Sequence, residues 1–183
     1  GSELPVRILL PNRVCQPTSI QCACVGSDNL GPSAAVPMST LAPKSLNFGF
    51  LAEHGSMLVV LGAQAERYFA DDPATCLYKL RLLAELLAKE SAAHLGLYVD
   101  ERDQLVDILR RLRDRGALPK EVDDIFRSVR QSGNAAVHAN KGTQSEALHQ
   151  LKLVRHIAIW FHRSFGSSRS FQAPSFVPPR PPP

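Results

Sequence analysis

Arg130, Asn134 and His138 recur at intervals of four residues, and these three residue types can share one chemistry. On a continuous helix the spacing gathers them into a polar stripe about 12 Å long. An arginine there can hold a phosphate, an asparagine can orient what is bound, and a histidine can exchange a proton with a ribose 2′-hydroxyl. The competing reading is a structural clamp, in which Asn134 and His138 hydrogen-bond carbonyls and loop groups and lock their helix against its neighbours. Gly133, inside the stripe, gives a neighbouring helix room for close approach.

The other reactive residue types carry less. His149, His156 and His162 fall in the last apolar-periodic segment but are seven and then six residues apart, which is not a ligand spacing. His54 and His94 stand isolated in the sequence, so all these histidines are expected at solvated or rim positions and no metal site is expected. Cys15, Cys22 and Cys24 follow a C-x6-C-x-C pattern with no histidine near them, and they read as reduced thiols. Arg110, Arg111, Arg113 and Arg115 would make a phosphate-binding face, but Asp107 and Asp114 interleave with them and point to a solvated helix face. The chain lacks G-x-x-x-x-G-K-[ST], H-E-x-x-H and G-x-S-x-G motifs, so no cofactor is expected for it.

The elements that position these residues are helical throughout. Of 14 prolines, only Pro73 and Pro119 lie between residues 46 and 165. Proline disrupts a helix interior, so the chain divides into a foldable middle and two irregular ends. The apolar spacing predicts a first helix from about Leu46 to Phe69, weakened by Gly49, Gly55 and Gly62. Asp72-Pro73 is a cap followed by a proline at the first helical position, and it opens a second helix that Gly96 closes. Asp100 is expected to cap a third helix over residues 101–115, closed by Gly116. A fourth starts at Pro119 and continues towards Ala139, and Thr143-Gln144-Ser145-Glu146 is a capping box for a fifth that ends at Gly166. The expected fold is all-α, an antiparallel bundle of about five helices over residues 46–166.

The ends have their own readings. Residues 1–45 are expected to be an irregular tail, in which Gly1-Ser2 resembles a tag-cleavage scar and Met38 a natural start. Residues 167–183 read as a proline-rich, polyproline-like linker cut short. The formal charge of +4 sits mostly in the ends, since residues 46–165 hold 16 Lys/Arg against 15 Asp/Glu. A balance this even gives no argument for nucleic-acid binding. No apolar run reaches the roughly 20 residues of a membrane span and no secretory signal opens the chain, so a soluble, cytoplasmic protein is expected.

Ala65-Glu66, Leu80-Arg81-x-x-x-Glu85, Gly133-Asn134-x-x-x-His138, Ser145-Glu146-Ala147 and Trp160-Phe161 together carry a family resemblance. Residues 46–165 resemble the helical domain of unknown function at the N-terminus of the R (HsdR) subunits of type I restriction-modification enzymes and related helicases. Residues 176–181 resemble the linker that leads to the nuclease and helicase modules of those subunits. The resemblance implies a non-catalytic accessory module on an ATP-dependent DNA translocase and endonuclease. Its partners would be other restriction-modification subunits, its own downstream domains, or DNA or RNA. The matched motifs add Arg81 and Glu85 to Arg130, Asn134 and His138 as contact residues.

The family is similar in turn to the HEPN group of helical domains, many of them metal-independent ribonucleases whose motif is an arginine, four to six intervening residues, then a histidine. Here seven residues separate Arg130 from His138, a departure that favours binding or assembly. A ribonuclease of a toxin or defence system, using Arg130, Asn134 and His138 across a homodimer, is the alternative. A plain oligomerisation bundle is the third.

Overall fold

Asp72 and Pro73 start one of the two longest helices as their types require. In the computed structural model, Asp72 Oδ1 accepts from the Thr75 amide at 3.0 Å and Oδ2 from the Thr75 hydroxyl at 2.6 Å. The structure describes residues 44–97, 100, 102–139, 142–168 and 170–180. The readings of Cys15, Cys22, Cys24 and Met38 lie outside the described residues.

Among the described residues, five α-helices follow a short 3-10 turn at Gly49–Glu53: α1 (Ser56–Tyr68), α2 (Pro73–His94), α3 (Leu105–Asp114), α4 (Lys120–Ala139) and α5 (Gln144–Phe165). The described residues contain no strand, and the fold is the expected all-α bundle. None of the described helices is long and apolar enough to cross a membrane.

Two helix starts differ from expectation. A single helix over residues 46–69 does not form, because Gly55 takes φ +153°, a conformation that side-chain-bearing residues rarely adopt. The His54 and Gly55 amides both bond to the Leu51 carbonyl and close the 3-10 turn before α1 begins. Helix α3 starts at Leu105, four residues late, since Asp100 Oδ1 accepts from the Arg102 amide and makes a local turn instead of a helix cap. Asp103 then ties that turn to α3 through both terminal nitrogens of Arg111.

Helix α2 is the central element and packs against α1, α3, α4 and α5. Its leucines Leu77, Leu80, Leu83 and Leu87 are fully buried with Phe126 of α4 and Leu151 and Phe161 of α5. Each such side chain removed from water contributes about 1.5–3 kcal/mol. Helices α4 and α5 lie antiparallel, but α5 runs in the same direction as α2. Gln144 at the start of α5 donates to the Ala70 carbonyl just before α2, and His94 at the end of α2 stacks on Phe165 at the end of α5. The same end of the bundle therefore carries the C-termini of α2 and α5, together with the 3-10 turn.

Gly133 shows why helices α2 and α4 sit so close. A Cβ at residue 133 would lie 2.6 Å from the Arg81 Cβ, closer than any real contact. Helix α4 passes through Gly133 without a break, as the polar stripe requires. Thr143 Oγ1 accepts from the Glu146 amide at 3.1 Å, which is one half of the expected capping box of α5.

Beyond α5 the chain is extended and lies along the bundle. Asn47 exchanges two hydrogen bonds with the Val177 backbone, at 2.8 and 2.9 Å, while Glu66 holds the Asn47 amide and side chain from the other side. Phe176 packs on the core, Arg163 donates to the Phe171 carbonyl, and Arg155 donates to the Pro174 carbonyl.

Candidate functional site

Helix α4 buries Val122, Phe126, Val129 and Ala136 and leaves its polar stripe at the edge of that face. Arg130 and Asn134 are half-buried and His138 is exposed. Among the described residues, no hydrogen bond or ion pair joins these three side chains to one another or to a neighbour. The polar lock of α4 lies elsewhere, at the opposite edge of its buried face. Buried Gln150 of α5 donates to the hydroxyls of Ser128 and Ser132 at 3.1 and 3.0 Å. Two serines at a four-residue spacing facing a glutamine are the residues that the sequence reading missed; the Ser-x-x-x-Ser interval on the apolar side of α4 was the available signal.

Arg130 lines a cleft of about 490 Å³ between α3 and α4, with buried Leu109 as its floor and half-exposed Val106, Arg113, Asp123 and Arg127 as the rest of its lining. Asp123 is 3% exposed and accepts from Arg113 and from Arg127, at 2.9 and 2.8 Å. Two guanidinium groups thus hold the one carboxylate, and Arg130, which lines the same cleft without pairing to it, leaves the cleft with excess positive charge over an apolar floor. The remaining basic residues of this side are largely paired. Arg110 meets Asp107, Arg111 meets Asp103, and Lys120 meets Asp124.

Arg81 and Glu85 lie on α2. The Arg81 stem is the surface on which Gly133 rests, and its Nε is buried with no partner among the described residues. Glu85 pairs with Lys89 at 3.3 Å.

A second constellation forms at the end where α2 and α5 finish. His54 Nε2 and His162 Nδ1 are 3.1 Å apart, and Glu53 Oε1 lies 3.3 Å from the first and 3.6 Å from the second. Both imidazoles are buried, with side chains 6% and 5% exposed, whereas Glu53 is more open at 37%. The expectation that His54 stands alone and His162 sits on a solvated rim is therefore corrected. His149 and His156 are exposed, as expected, and His94 is exposed with its ring 6.5 Å from that of His54. Nothing in the sequence marked the pair, because 108 residues separate His54 from His162.

Burial pushes the His54 pKa down, with Glu53 opposing, so the ring favours its neutral form. The Glu53 carboxyl is held below its ordinary range, first by the Ser167 amide that donates to it. Three atoms that can ligate a metal ion, Glu53 Oε1, His54 Nε2 and His162 Nδ1, thus converge within 4.8 Å.

Residues 63–164 match a family described as a domain of unknown function, DUF4145. The chain is also 31% identical over 135 residues to the type I restriction enzyme EcoKI endonuclease subunit of Escherichia coli (strain K12). That alignment covers 73% of this chain and 11% of the relative, so the chain spans only a small part of the protein it resembles. No solved structure matches the chain.

Proposed function

We propose, from the premise that this chain belongs to the DUF4145 family of domains of unknown function, that it is a non-catalytic accessory module of a type I restriction R-subunit-like protein, and that it docks to another restriction-modification subunit through the α3–α4 cleft. The observation that carries this reading is the cleft itself. An apolar floor ringed by Arg113, Arg127 and Arg130, with Asp123 as its one acid, suits an apolar side chain flanked by carboxylates on a partner. The pairing of Arg110, Arg111 and Lys120 with their own aspartates supports a protein partner over nucleic acid, since paired guanidinium groups add little to a phosphate track.

Co-purification of the full chain with restriction-modification subunits tests the reading. The wild type is expected to co-elute, and the Arg127→Ala/Arg130→Ala double variant to lose about tenfold in affinity, a loss of 1.4 kcal/mol. Equal co-elution of the two would overturn it.

A HEPN-type ribonuclease is the second reading. It is favoured by the exposure of His138 next to half-exposed Val137 at the end of α4, a surface two copies could share. Cleavage of single-stranded RNA by the wild type and not by His138→Ala would establish it in place of the first; equal cleavage or none would remove it.

A further inference from the structure

We propose that Glu53, His54 and His162 form a binding site for a zinc-class divalent ion, which ties the 3-10 turn ahead of α1 to the last turn of α5. The site lies at the opposite end of the bundle from the start of α5 and plays no part in the docking cleft.

The geometry carries the proposal. Zinc holds imidazole nitrogen and carboxylate oxygen at about 2.0–2.2 Å in a tetrahedron, which sets neighbouring ligand atoms about 3.3–3.5 Å apart. The three separations here are 3.1, 3.3 and 3.6 Å. An ion reaches that geometry with shifts of a few tenths of an ångström. Two imidazoles exclude calcium and magnesium, which take oxygen ligands, and fit the nitrogen-preferring transition ions.

The surroundings are those of a held site. The Phe161 ring packs edge-on to His54, with centroids 4.7 Å apart, and the Phe171 ring to His162 at 4.2 Å. These contacts fix both rings before any ion arrives. Ser167 orients Glu53 from outside, its amide donating to Oε1 and its hydroxyl to Oε2, each at 3.0 Å. The end of α5 turns its partial negative charge towards this corner, and the end of α2 lies close by, which favours a cation. The 3.1 Å contact between His54 Nε2 and His162 Nδ1 joins two neutral rings through one hydrogen, carried by either nitrogen. On binding it moves to the outer nitrogen of its own ring, so both imidazoles stay neutral and each presents a lone pair. Three protein ligands leave a fourth position for solvent on the side where Glu53 is exposed.

Zinc is titrated calorimetrically into the full chain after alkylation of its cysteines, so that Cys15, Cys22 and Cys24 cannot compete. One equivalent is expected to bind and to raise the melting temperature, and cobalt is expected to give the visible ligand-field bands of a tetrahedral site. Glu53→Gln keeps the size and the acceptor for Ser167, so its fold is retained, and it is expected to weaken zinc binding about 100-fold. His54→Gln and His162→Gln are expected to weaken it at least as much, and His138→Ala not at all. Absence of binding by the folded wild type, or wild-type affinity in Glu53→Gln, overturns the proposal even if the histidine variants fail to fold.

Discussion

Arg130, Asn134 and His138 lie four residues apart on one helix and share no bond, whereas Glu53, His54 and His162 come from two ends of the chain and lie within 3.6 Å of one another. The first set is aligned and the second is assembled. A helix of rise 1.5 Å per residue sets side chains four apart on one side, but it gives them no partner on a second element. Convergence needs at least two elements whose faces meet. Here the 3-10 turn meets the last turn of α5 under Phe161. Polar residues therefore read as a site where spacing was regular, and met as one where it was not.

The comparison can be broken most easily at the assembled end. Phe161 is fully buried and packs on His54, so Phe161→Ala is expected to lose about 3–5 kcal/mol in urea unfolding. A loss near zero would mean that the histidines do not rest on the core. Gly133→Ala places a Cβ against Arg81, and about 2 kcal/mol of stability is expected to go, despite alanine's better helix propensity. An increase in melting temperature would show that α2 and α4 separate freely.

Asn47 is a second assembled residue, held by Glu66 and bonded to Val177, which lies 130 positions away from it. Asn47→Ala is expected to lose about 1–2 kcal/mol and to expose residues 170–180 to limited proteolysis. Unchanged cleavage would show that the segment does not need this tie.

The local features are expected to matter less. Asp72→Ala removes the cap of α2, with a loss of about 1 kcal/mol at neutral pH by thermal unfolding. The Asp72 carboxyl is held below its ordinary 3.8 by the Thr75 hydroxyl and then by the Thr75 amide. Its stabilisation is therefore present above pH 3.8 and lost as pH falls through the lowered value, so the difference between wild type and variant is expected to vanish in acid. His138→Ala and Asn134→Ala, on the aligned stripe, are each expected to change stability by less than about 0.5 kcal/mol. A loss of several times that would turn the stripe into a clamp after all.

The helices and their order were legible because the signals are local. Asp72-Pro73, Thr143 with Glu146, and the leucine spacing of α2 each act within a few residues, and each holds in the structure. The break at Gly55 was harder to read, since glycine inside an apolar run fits both a weak helix and a stop. Asp100 was misread because an aspartate bonds a local turn as readily as a helix end, and its bond to the Arg102 amide decided between them. Gly133 was legible as a point of close approach, but its partner Arg81 was not.

By itself the sequence determined an all-α bundle, the starts of α2, α4 and α5, and the family to which the chain belongs. The tertiary structure decided which polar residues meet. It made Ser128, Ser132 and Gln150 the lock of α4, gave Asp123 to Arg113 and Arg127, and brought His54 to His162. Helix signals are written in hydrogen bonds between residues three or four apart, so they can be read along the chain. A meeting of side chains 108 residues apart follows from how apolar faces pack, and Phe48, Leu51, Leu87 and Phe161 settle that together only when the core closes.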